Sequence, residues 1–60
     1  MNKVVKILME RDNLDQDYAE KLVKETRDEI IALDNPLEAD DVLYDYLGLE
    51  PDYLFDVLNI

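Results

Sequence analysis

The chain has no cysteine, histidine, serine or tryptophan, one glycine, two prolines, and no basic residue after Arg27. Each shortage excludes something. Without cysteine there are no disulfides and no thiolate metal sites, two devices that hold small domains together. Thr26 is the only small hydroxyl, so the usual nucleophile–base pairs have no members. Acid–base chemistry would fall to carboxylates, which need a cleft to shift the pKa of one of them. A chain of 60 residues seldom encloses such a cleft, and a non-enzymatic protein is expected. No apolar run approaches the roughly 18 residues of a membrane span. Met1-Asn2-Lys3 also lacks the long apolar core of a secretory leader. A soluble, cytoplasmic protein with no membrane contact is therefore expected.

What the chain does have is charge of one sign, unevenly placed. Lys3, Lys6, Arg11, Lys21, Lys24 and Arg27 offset Glu10, Asp12, Asp15, Asp17, Glu20 and Glu25, so residues 1–27 sum to zero. Residues 28–60 carry Asp28, Glu29, Asp34, Glu38, Asp40, Asp41, Asp45, Glu50, Asp52 and Asp56 with no cation, and supply the whole net charge of −10. Self-repulsion on this scale opposes compaction and points either to solubility or to a basic partner. It argues against direct contact with nucleic acid, whose phosphates require Lys and Arg. Hydrophobic residues make up 48% of the chain, too many for an acidic disordered segment.

The pattern is that of an all-α domain, a small bundle of about four helices over 3–11, 15–34, 36–47 and 51–58, in one unit spanning 1–60. Val4, Ile7 and Leu8 have helical spacing after a capping Asn2, although Val4, Val5 and Ile7 would also suit a strand. Asn13 is placed to end this helix in the left-handed conformation. Asp15 caps the longest helix, whose stripe is Ala19, Leu22, Val23, Thr26, Ile30 and Leu33. Asp17–Lys21 and Glu20–Lys24 are favourably ordered i, i+4 pairs on it. Asn35-Pro36-Leu37-Glu38 reads as a cap, a first-turn proline and a capping-box glutamate. The stripe that follows is Ala39, Val42, Leu43, Tyr46 and Leu47, with Gly48 as the C-terminal left-handed residue and Leu49 as its apolar contact. Pro51 opens a last helix in which Leu54, Val57 and Leu58 pack back.

The acidic residues form no calcium loop. Counting from Asp12, loop positions 3 and 6 are Leu14 and Asp17; counting from Asp15, position 5 is Ala19; neither frame meets the EF-hand requirement. No cofactor is expected. The sharper constellation is Glu38, Asp41 and Asp45, which fall within about 60° of one another on a helix, opposite its apolar stripe. Asp40 and Tyr44 flank them, and Asp52, Tyr53 and Asp56 extend the set. Asp45 and Asp56 stand near helix C-termini, where the macrodipole disfavours a carboxylate and no cation is close in sequence. Local rules broken without compensation often mark functional constraint. The plain alternative is a solvated face that keeps the protein soluble. Tyr44 and Tyr53 are candidate anchors of an interface, whereas Tyr46 is expected in the core.

Met9-Glu10-Arg11-Asp12, Ala19-Glu20, Arg27-Asp28-Glu29-Ile30 and above all Leu47-Gly48-Leu49-Glu50-Pro51-Asp52-Tyr53 resemble a group of uncharacterised small acidic proteins of phages, prophages and bacteria. Asn13 stands where that group would have glycine, a compatible exchange at a turn. The resemblance implies a phage or mobile-element setting, where small acidic proteins block host enzymes or defence complexes. Two functions then compete. One is an inhibitor whose acidic C-terminal half docks on a basic surface of a bacterial protein, in its most specific form a nucleic-acid-binding surface. The other is a homo-oligomeric assembly protein, with a homodimer expected, in which Val5, Met9, Ile31, Leu37 and Phe55 widen the apolar arc.

Overall fold

The computed structural model describes all of residues 1–60 and contains helices only: α1 (Lys3–Asp12), α2 (Gln16–Ile31), α3 (Ala39–Leu47) and α4 (Leu54–Leu58). Single 3₁₀ turns, Pro36–Glu38 and Pro51–Tyr53, lead into α3 and α4. The strand alternative for the first element is excluded. Its radius of gyration is 10.6 Å, close to the ~10 Å expected for a compact chain of this length.

Helix ends follow the local chemistry closely. Asn2 Oδ1 accepts from the Val4 and Val5 amides at 2.8 and 3.3 Å, which starts α1. Asn13, at φ 57°, ends it in the left-handed conformation. Asp15 accepts from the Tyr18 amide at 2.8 Å and starts α2. That helix stops at Ile31, three residues short of the expected Asp34. Further on, Pro36 disfavours helical torsions at the residue before it. Asn35 is accordingly extended, at φ −112° and ψ 106°. The two proline-led segments are each split, because Pro36 and Pro51 accept i+3 bonds from Ala39 and Leu54 before the α-helical ladder begins. Asn35 Oδ1 accepts from the Leu37 amide at 3.1 Å, but Glu38 returns no side-chain bond, so the expected capping box is half formed.

α2 is the central element, and α1, α3 and α4 all pack on it. The core is Val4, Val5 and Leu8 of α1, Ala19, Val23 and Ile30 of α2, Ala39, Leu43 and Leu47 of α3, with Leu49 and Val57 closing the acidic end. Thr26 is buried among them, its hydroxyl donating to the Leu22 carbonyl at 2.8 Å. Several expectations fail at the rim of this core. Tyr46 lies outside it, 54% exposed, and Leu58 is exposed rather than packed back. Val5 is fully inside, so it widens no external arc. A three-sided bundle around α2 covers only one narrow face of each short helix, and residues 100° off that face remain in water. Neither Asp17–Lys21 nor Glu20–Lys24 closes an ion pair; Glu20 instead accepts from Gln16 at 3.0 Å.

Candidate protein interaction surface

The residues singled out in the acidic half occupy four successive pieces of backbone. Glu38 ends the first 3₁₀ turn, Asp40 and Asp41 sit in the first turn of α3, and Tyr44 and Asp45 follow one turn later. Asp52 and Tyr53 lie in the second 3₁₀ turn and Asp56 in α4. Glu38, Asp40, Asp41, Tyr44, Asp45 and Asp52 are exposed, whereas Tyr53 and Asp56 are half-buried. None of the six carboxylates takes part in an ion pair, since the two pairs within 4.0 Å are Arg11–Asp12 and Arg27–Asp28. Nor do they converge on a point: no three carboxylates are placed to share a metal ion, and the surface has no pocket. The arrangement is a spread of separate negative charges on a convex face.

Tyr53 is not a free anchor. The Lys3 ammonium lies 5.3 Å from its ring centroid, a cation–π contact that ties the N-terminal segment to the acidic half. Asp56 is engaged through its backbone, the carbonyl accepting from Asn2 Nδ2 at 2.7 Å. Tyr44, 70% exposed, is the tyrosine of the set that remains wholly open.

The C-terminus of α3, uncompensated in sequence, is compensated in space. The Arg11 guanidinium donates to the last carbonyls of α3, Leu47 at 2.6 Å and Gly48 at 3.3 Å. Arg27 donates to the Ile60 carbonyl beyond α4 at 3.0 Å. At α3 the cation satisfies orphan carbonyls and the negative pole of the helix together; at α4 the Arg27 bond lies two residues past the helix, and the Phe55 and Val57 carbonyls accept from the Asn59 and Ile60 amides. Each arginine is aimed by the aspartate that follows it. Arg11 Nε and Nη2 reach the two Asp12 oxygens at 3.0 and 2.8 Å. Arg27 grips Asp28 Oδ1 with Nε and Nη2 at 3.2 and 3.0 Å. The hydrogen bonds that Arg11 donates to Asp12 raise its pKa above its ordinary value, against the opposing effect of burial, and charge attraction adds to the rise. Asp12 is held below the usual carboxylate range, first by the hydrogen bonds from Arg11.

These two arginines are the structural residues that the sequence pattern did not disclose. Their one available signal is that both arginines of the chain are followed directly by aspartate. Gly48 belongs to the same clasp: at φ 65° it turns the chain under Arg11, and an added Cβ would meet the guanidinium at 3.6 Å, ordinary contact. No helix is long and apolar enough to cross a membrane. The chain matches no protein-family model, no curated protein and no solved structure.

Proposed function

We propose that this chain is a non-enzymatic interaction protein that docks its acidic half, centred on Glu38, Asp41 and Asp45, on a basic surface of another protein. The observation that carries the reading is the division of cations. Both arginines are engaged internally, at the ends of α3 and α4, and the exposed carboxylates of residues 38–52 are left without an ion pair. Charges spaced along a rigid helix suit a basic groove, and they raise the association rate through long-range attraction. The resemblance to small acidic phage proteins supports a bacterial host target, either an enzyme or a defence component. In its most specific form the carboxylates stand in for a row of phosphates. The test is binding to bacterial proteins across a salt series, with Asp41→Lys plus Asp45→Lys as the perturbation. Capture that falls steeply with salt and is lost in the double reversal, with circular dichroism unchanged, is the expected result. Competition by DNA distinguishes phosphate mimicry from ordinary acidic docking. Salt-insensitive capture, or capture indifferent to the reversals, refutes the reading.

A second reading, a homodimeric assembly protein, is favoured by one observation: Leu37, Phe55 and Ile31 are 85%, 76% and 66% exposed. Sedimentation over a concentration range decides it, a constant monomer mass removing this alternative.

A further inference from the structure

We propose that one flank of α3, formed by Leu37, Asp40, Asp41 and Tyr44, is the seat for an arginine side chain on a basic segment of the partner; this rests on the docking reading above. Leu37 and Asp40, Leu37 and Asp41, Asp40 and Tyr44, and Asp41 and Tyr44 are each three or four residues apart, so all four share one side of the helical segment. A helical side chain leans toward the N-terminus, which brings the Tyr44 ring over the turn that carries Asp40 and Asp41.

Two independent features meet there. The first is apolar: Leu37 and Tyr44 are among the most exposed large side chains of the molecule and flank the two carboxylates along the segment. The second is charge: neither Asp40 nor Asp41 forms an ion pair, and no lysine or arginine of the chain lies over the Tyr44 ring. The molecule also shows what a ring in this half does when a cation is within reach, because Lys3 occupies the face of Tyr53. Tyr44 offers the same face with two carboxylates one turn away. A guanidinium satisfies both at once, since its plane stacks on an aromatic ring while its edge forks onto carboxylates. Ammonium, compact and strongly hydrated, gains from the carboxylates but less from the ring. Leu37 covers the apolar stem of the incoming side chain. Nucleic acid does not fit this flank, which presents no cation to phosphate.

The experiment is calorimetric titration of the full chain with octa-arginine and octa-lysine peptides at low salt, using wild type, Tyr44→Ala and Tyr44→Phe. Amide shifts on labelled protein locate the binding. The expected result is tighter binding of the arginine peptide, with shifts concentrated on residues 37–45. Tyr44→Ala should weaken that peptide by about two- to five-fold and the lysine peptide by less. Tyr44→Phe should retain the arginine preference. Equal affinity for both peptides, or a Tyr44→Ala effect that is absent or the same for both, overturns the arginine seat while acidic docking stands. Failure of both peptides to bind overturns the two together.

Discussion

Replacing Arg11 with methionine keeps most of the side-chain stem and removes the fork that holds the C-terminus of α3. The variant loses two charge-assisted bonds, to the Leu47 and Gly48 carbonyls at 2.6 and 3.3 Å. It also loses a cation at the negative pole of the helix. Fully buried bonds of this kind are worth about 1.5–3 kcal/mol each, but a side chain 41% exposed leaves carbonyls that water can reach, so roughly a third of that is retained here. The dipole contact adds about 0.5 kcal/mol at low salt. The expected loss is then about 1.5–2.5 kcal/mol. Against a stability of about 3–9 kcal/mol for a chain this size, that is a large fraction. It corresponds to a fall in melting temperature of roughly 6–20 °C. Arg11→Lys keeps the charge without the fork and should lose about half as much. Thermal and urea melts followed by circular dichroism measure both variants. A shift within about 2 °C for Arg11→Met would refute the reasoning, because the carbonyls of α3 would then be as well served by water.

Asp12→Asn tests the aspartate that aims Arg11. A carboxylate with a depressed folded pKa stabilises the native state above its unfolded value near 3.9, and that contribution is lost as pH falls through the folded value. Wild type should therefore exceed the variant at pH 6 and converge with it in strong acid, by urea melts across that range; a gap that persists in acid refutes the linkage. Gly48→Ala should cost about 1–2 kcal/mol from left-handed strain rather than from a clash, as the space above it is ordinary contact distance. Gly48→Asn should recover part of this in the same melts, and equal losses would refute the strain argument. Raising NaCl to about 0.5 M at neutral pH should raise the melting temperature by screening the net charge of −10, and a fall would show that the clasps outweigh the repulsion.

The parts of this fold legible in the sequence are those decided within a few residues. Asn2, Asn13, Asp15, Asn35 and Gly48 each act on backbone nearby, and each occupies the cap expected of it. The arginine clasps span 36 and 33 residues, and no local pattern encodes such a distance. The suspicion raised by Asp45 and Asp56 thus had a real cause, missing local cations, but at the end of α3 the remedy is tertiary. Tyr46 misled for a different reason. Periodicity places it at the edge of an apolar stripe, and the number of neighbouring helices decides how wide a stripe is covered. Of the candidate surface, the exposure of Glu38, Asp40, Asp41 and Asp45 follows from the helix period alone. The engagement of Tyr53 by Lys3 depends on the two ends of the chain meeting, which no spacing rule contains.

That meeting has a kinetic consequence. Asn2 caps α1 with its oxygen and holds the Asp56 carbonyl with its nitrogen, so a single side chain joins residues 54 positions apart. α4, five residues long, is far below the length at which a helix persists alone in water. Its persistence therefore depends on packing against α2 and on the tie to α1: detaching α4 frees one bond of Asn2, and uncapping α1 frees the other. The amides at the start of α1 and those of α4 then belong to one opening unit, and they should exchange with solvent deuterium at a common rate despite lying at opposite ends of the sequence.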